Sequence, residues 1–287
     1  MVIMSRPAEL TDLLWDWSPD GIRRPVRPDE VIARLDAAGQ HRAARLVRRL
    51  PAAGGVLVEA EVDALMLRVH HELQRLGEEL QLARRVADAL RPWVRDAAGT
   101  VRVVDVGCGL GYVIRWLAAH RALGPHVELV GVDTNRLLIA RAAELAAAER
   151  LDCTFVAGDA LAPGRVIDSG TATVMISSGM VHHLAAGDLP GFFAAQQRLG
   201  VLAFAHWDID PSPWSTVGAW VFHRGRMREA VSRHDGVLSA RRAHPAATLL
   251  AAARAGADEY HVSCADTPAW RPSLVHVLRP IVGIRHR

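Results

Sequence analysis

Three glycines at alternate positions, Gly107, Gly109 and Gly111, follow the β-branched run that starts at Val101 and ends in Asp105. Glycine is needed where a side chain would strike a ligand, or where a turn takes φ > 0. A strand, such a turn and the helix opened by Tyr112 together make a nucleotide-binding corner. A dinucleotide fingerprint, G-x-G-x-x-G, would place its third glycine at position 112, where this chain has Tyr112. An acid just before the glycines also sits badly beside a pyrophosphate. It suits a ligand that presents a cation and hydroxyl groups. Asp133 and Asp159 follow the next two β-rich runs, where an open α/β sheet has its ligand crevice. Two carboxylate oxygens on Asp133 can take both hydroxyls of a ribose, and Asp159 can accept from an exocyclic amine. Each acid alone can equally cap a helix. Further along stand groups able to move a proton, His182, His183, His206 and Asp208. A neutral imidazole, with a pKa of roughly 6.5, can take one from a phenol or enol.

At Asp105 and its G-x-G-x-G the chain resembles the class I S-adenosylmethionine (SAM)-dependent methyltransferases, and the resemblance extends over about Val101 to Ile284. It implies a Rossmann-like α/β fold, with a seven-stranded methyltransferase sheet, helices on both faces and an N-terminal helical extension. SAM is then the cofactor, and Asp105 reaches its ammonium. The implied binding residues are Asp105, Gly107, Gly109, Gly111, Asp133, Thr134, Asp159, Ala160 and Ser178.

Several acceptor chemistries lack their residues. The segment Ser177 to Leu184 has no Asn/Asp-Pro-Pro-aromatic motif for amino nitrogens, and Asp210-Pro211-Ser212-Pro213-Trp214 follows the wrong strand. No Pro-Cys nucleophile occurs, and no acid ends the fourth strand to ligate magnesium, so a metal-independent reaction is expected. The His182-His183-Leu184 stretch is similar to that of quinone-biosynthesis C-methyltransferases and related natural-product O-methyltransferases. That resemblance favours His182 as base over His183. The pair can also simply cap a short helix. His206, Trp207, Asp208 and Asp210 form a second group on the same rim, in which Asp208 can orient a histidine. Trp207, Trp214, Trp220 and Phe222 can wall a pocket for a flat acceptor, or fill the core beneath a long loop.

The elements that must position these groups are legible as periodicity. Residues 1–97 read as a helical extension or lid. One helix runs from Pro28 through Leu46, and one apolar stripe from Val62 to Leu90, ended by Pro92 and Gly99. Residues 98–287 read as the SAM-binding domain. Its strands are expected at 101–106, 127–132, 153–157, 171–177 and 201–205, with a terminal pair at 260–264 and 274–278. Helices are expected at 112–123, 136–149 and 246–255. Pro280 cannot donate to a ladder, so the last strand should end or bulge there.

Bulk properties narrow the partners. The chain has 287 residues, half of them apolar, enough for a full core. No apolar run approaches the roughly 18 residues of a membrane span, and no export signal is read at Met1 to Trp17, so a cytoplasmic protein is expected. Cys108, Cys153 and Cys264 lie far apart, which fits reduced thiols and argues against zinc. All 34 basic residues are arginine, and residues 1–100 carry 15 arginines against 15 acids. That mixture does not make a phosphate-binding face. The expected partner is a small, aromatic or polyketide-like acceptor, with a homodimer through the N-terminal helices as a further option. The competing readings are an RNA or protein methyltransferase, a non-catalytic SAM-binding protein, and an NAD-dependent oxidoreductase, the last weakened by Tyr112.

Overall fold

The computed structural model describes residues 7–17, 22–95, 99–168, 170–211, 215–264 and 277–286. The chain begins with helices α1 (Leu10–Leu13), α2 (Pro28–Ala37) and α3 (His41–Val47), then a two-stranded ribbon, β1 (Ala52–Ala53) and β2 (Val56–Leu57). Helices α4 (Glu59–Glu79) and α5 (Leu82–Arg95) follow. The alternating part runs β3 (Val101–Val106), α6 (Tyr112–Ala119), β4 (Val127–Asp133), α7 (Arg136–Glu149), β5 (Thr154–Ala157) and β6 (Ala172–Ser178). It continues with α8 (Leu189–Leu199), β7 (Ala203–Ile209), α9 (Ser215–Arg226), α10 (Ala230–Arg242), α11 (Ala246–Gly256), β8 (Tyr260–Cys264) and β9 (Leu278–Arg285). Among the described residues no helix is long and apolar enough to cross a membrane.

The chain packs as two compact units, Met1–Leu73 with Pro211–Arg242, and Gln74–Asp210 with Ala243–Arg287. The first is helical. Leu10, Leu14, Leu35, Val47, Val62, Leu65, Val69 and Val231 form its core. Asp235 of α10 ties down the start of α1 by accepting from the backbone N–H groups of Leu10 and Thr11, at 3.0 and 2.9 Å.

The second unit holds a seven-stranded sheet in the order β5-β4-β3-β6-β7-β9-β8. Strands β3 to β7 pair in parallel, whereas β9 runs antiparallel to both β7 and β8. Parallel strands buried on both faces read as continuous apolar runs, as Val103, Val104 and Val106 do. One face packs Phe192, Phe193, Leu249 and Ala253 of α8 and α11. The other packs Leu82, Val86 and Leu90 of α5 and Ile114 and Leu117 of α6. The expected α/β fold, its seven strands and the terminal antiparallel pair are all present.

Several boundaries differ from the sequence expectation, each for a local reason. The single helix from Pro28 to Leu46 is two, α2 and α3. Gly39 takes φ 70°, and the amides of Gly39 and Gln40 close back onto the carbonyls of Asp36 and Leu35, a Schellman stop. The long stripe divides at Gln81, φ 51°, a left-handed residue that no glycine advertises. Helix α5 passes through Pro92 to Arg95, because the lost hydrogen bond falls in its last turn at exposed Asp88. Helix α6 stops at Ala119 rather than Leu123.

Two strand corrections bear on function. Strand β7 extends to Ile209 rather than ending at Ala205, so Asp208 belongs to the sheet. The last strand is Leu278–Arg285 and continues past Pro280; of its expected range 274–278, residues 274–276 lie outside the described residues. Pro280 stands opposite Trp207, whose carbonyl already accepts from Gly179 on the β6 side at 2.8 Å. That pair is therefore not hydrogen-bonded, and the missing N–H of Pro280 faces the β8 side. Among the described residues, pairing with β8 stops one residue short of Pro280, at Ile281 opposite Cys264.

Candidate active site

The turn after β3 is glycine by necessity. Gly107, Gly109 and Gly111 take φ of 72°, 55° and 68°, which side-chain-bearing residues rarely adopt. Space forbids a side chain as well. A Cβ on Gly107 would lie 2.6 Å from Met180 Cγ, and one on Gly111 2.2 Å from Phe155 Cε1. Met180 and Phe155 are thus packing partners of the turn that sequence reasoning did not single out. Gly111 is also the N-cap of α6, so the first amides of that helix point out of the turn.

Asp133, at the end of β4, holds the turn in place. Its Oδ2 accepts from the Gly109 amide at 2.9 Å, and its Oδ1 from the Asn135 amide at 2.8 Å. Asn135 then caps α7 by accepting from the amides of Leu137 and Leu138. Each carboxylate oxygen keeps a second lone pair for a ligand hydroxyl. Thr134 is exposed beside it.

Asp105 has no such support. Its side chain is buried, and Oδ1 has no hydrogen-bond partner among the described residues. Burial, with a smaller push from the Asp133 charge, raises its pKa to about 8. An orphaned buried carboxyl beside a bare glycine turn fits the ammonium of an amino-acid moiety. Asp159 is exposed, and its Oδ1 accepts from the Leu161 amide at 2.8 Å, a turn-capping bond that leaves its other oxygen available. Ala160 is half-buried against the core, and Ser178 is half-buried at the end of β6.

The proton-handling groups form one close pair. Val181–His183 is a single 3-10 turn just past β6. Within it, His182 Nδ1 lies 2.7 Å from Asp208 Oδ1, and the His182 backbone N–H donates to Asp208 Oδ2 at 2.7 Å. Both partners are buried. Burial alone would raise the Asp208 pKa, but the His182 imidazole and the backbone N–H groups of Ile209 and His182 together hold it below the usual carboxylate range. An ionised Asp208 fixes the proton of His182 on Nδ1 and leaves Nε2 as the basic nitrogen. His183 is half-buried, its ring 4.4 Å from that of His182.

His206 is a correction. It does not stand on the crevice rim. It is fully buried among Phe192, Phe193 and Phe204, with Nδ1 on Ser177 Oγ at 2.9 Å and Nε2 on Gln196 Oε1 at 3.1 Å. Burial lowers its pKa to about 3, so it stays neutral in the fold. The unfolded chain takes up this proton below about pH 6.5, and stability is then lost as the pH falls toward 3. Denaturant titrations at pH 7 and pH 5 should differ by about 2 kcal/mol from this group, because the slope of about 1.4 kcal/mol per pH unit sets in only below about pH 6.5. A His206→Gln variant with an undiminished acid slope would disprove that assignment.

The aromatic wall is a second correction. Trp207 faces the sheet core with α5 and α6, Trp220 is 51% exposed and Trp214 lies outside the described residues. The indole of Trp220 is covered by the Arg224 guanidinium, 5.7 Å from the ring centroid. Phe222 is half-buried on α9. Asp210 pairs with Arg279 at 2.7 Å.

Residues 103–199 match the family described as a methyltransferase domain. No curated protein matches the chain in sequence. Among solved structures, the plantazolicin methyltransferase BamL, in complex with a triazolic desmethylPZN analogue and S-adenosylhomocysteine (SAH), superposes with a TM-score of 0.57 at 10% identity, covering 79% of this chain and 91% of its own. The magnesium protoporphyrin IX methyltransferase of Synechocystis PCC 6803, with bound SAH, gives 0.50 at 16% identity over 90% of this chain and 99% of its own. The methyltransferase domain of a bacterial Hen1 protein gives 0.52 at 15% identity over 73% and 99%. At such identities the likeness is one of fold. The family match takes in the glycine turn with Asp105, Asp133 and Asp159, so residues 103–199 form a methyltransferase domain, and the protein is a SAM-dependent methyltransferase with SAM as its cofactor.

Proposed function

We propose that this methyltransferase acts on an oxygen or carbon nucleophile of a small, ring-containing metabolite, with His182 as the base and without a metal. The observation that carries the reading is the buried His182–Asp208 pair, which sets an oriented imidazole at the ends of β6 and β7. SAM supplies an electrophilic methyl group on a sulfonium. The chain's own part is to place and deprotonate the acceptor. Asp105 and Asp133 hold the ammonium and ribose ends of the cofactor, Gly107, Gly109 and Gly111 leave room for it, and Asp159 with Ala160 borders its adenine. Thr134 flanks the ribose and Ser178 the sulfonium. His182 Nε2 takes the acceptor proton, and Asp208 steadies the imidazolium that results. Most of the acceleration comes from alignment of acceptor and methyl group. We assign the cofactor to residues 98–287, since the family match begins at residue 103, and read 1–97 as a helical extension.

The charge at the strand ends favours a small acceptor over a polyphosphate chain. Asp133, Asp159 and Asp208 are all acids, and a phosphate backbone would meet a repulsive field there. The purified protein, given labelled SAM and a panel of phenols, polyketides, indoles and quinols, should transfer label to a hydroxyl or carbon of a ring compound. Transfer confined to RNA or protein, with a steep loss on adding salt, would overturn the small-molecule reading.

A further inference from the structure

Arg85 differs from the other well-covered arginines of its unit. Arg102 pairs with Glu128 and Asp168, Arg115 with Glu149, and Arg279 with Asp210. Arg85 has no carboxylate among the described residues. Its Nη2 donates to the Leu278 carbonyl at 2.7 Å, and its Nη1 is buried with no partner. Burial depresses its pKa, and no neighbouring charge opposes that. Charges taken out of water are ordinarily paired, so a guanidinium with one edge on a carbonyl and a buried Nη1 unmatched among the described residues calls for an anionic partner.

The fold says at which end of the sheet Arg85 stands. Helix α5 runs into the N-terminal end of β3, so its first turns, with Arg85, stand at the opposite edge of the sheet, where the glycine turn and the carboxylates are. Leu278 pairs with Ile209, the residue after Asp208. Arg85 thus reaches, from the helix layer on the other face, the strand end that carries the His182–Asp208 pair. In the strand order, β7 is two strands from the glycine-bearing β3, roughly 10 Å.

We propose that Arg85 binds a carboxylate in the crevice, with Nη1 donating to one of its oxygens. The carboxylate is carried either by the acceptor or by the amino-acid moiety of the cofactor. The inference rests on the crevice reading above, but its test is binding rather than turnover, so either can fail alone.

Calorimetry on wild type, Arg85→Gln and Arg85→Lys distinguishes the sources. Glutamine keeps a donor for the Leu278 carbonyl without the charge, and lysine keeps the charge without the fork. One arm compares SAH with 5′-methylthioadenosine, which lacks the amino-acid moiety. The other titrates SAH-saturated protein with benzoate and with neutral benzamide. If the acceptor carries the carboxylate, Arg85→Gln should weaken benzoate by about 10- to 100-fold and leave benzamide and SAH unchanged. If the cofactor carries it, the same loss should appear for SAH and not for 5′-methylthioadenosine. Arg85→Lys should fall between wild type and Arg85→Gln, and it serves alone if the glutamine variant melts early. Binding of SAH and of benzoate that is in both cases independent of residue 85 overturns the proposal.

Discussion

Replacing His182 by alanine is expected to lower turnover by about 10²- to 10⁴-fold, the usual worth of a positioned general base. SAH affinity should stay within about twofold, because the ring proposed to move the proton is not proposed to hold the cofactor. Asp208→Asn isolates the cause. An asparagine oxygen that accepts from the His182 backbone N–H turns the amide NH₂ toward Nδ1, which forces the ring proton onto Nε2. The base is then lost while the ring remains. Asp208→Asn should therefore fall nearly as far as His182→Ala. Single-turnover rates with labelled SAM and the acceptor found in the panel would measure this. Rates equal to wild type in His182→Ala would remove the imidazole from the mechanism.

The affinity for SAM should rise more than tenfold between pH 6 and pH 8, then level off. Asp105 holds its proton until about pH 8 in the free protein, since burial and the Asp133 charge both disfavour a second anion. An ammonium arriving beside it favours the ionised form, so binding releases a proton below that pH. If only the ionised form binds, the apparent affinity gains about tenfold per pH unit well below the pKa. The gain stops near pH 8, where an α-amino group itself begins to lose its proton, at roughly 7.7–8.0. Calorimetry in two buffers of different ionisation enthalpy would count the proton directly. Linkage also gives a sign for stability. The folded protein binds this proton more tightly than the unfolded chain does, so the group's contribution is present below about pH 4 and is lost as the pH rises toward 8. Asp105→Asn should abolish both slopes and weaken SAM at pH 8. A pH-independent affinity in the wild type would show that Asp105 does not face the ammonium.

The glycine turn, the order of strands and helices, and the acids at the strand ends were legible in the sequence because each depends on neighbours close in the chain. Positive φ strongly favours glycine, a buried parallel strand needs a continuous apolar run, and one βαβ step fixes the separation of Gly107 from Asp133. The roles of the proton-handling residues were legible only in part. Asp208 was recognisable as a group able to orient a histidine. Which histidine, and whether His206 joined it, depended on where β7 ends. His206 and Asp208 share one face of that strand, two residues or about 7 Å apart. The shallower position meets the turn that carries His182, and the deeper one meets Phe192 and Gln196 of α8. No local pattern encodes that depth, since it is set by the length of pairing between β7 and β9, strands far apart in the chain. Arg85 is the same case. In sequence it is one of two adjacent arginines on an amphipathic helix, and only the packing of α5 beside Leu278 leaves its Nη1 buried and without a partner among the described residues.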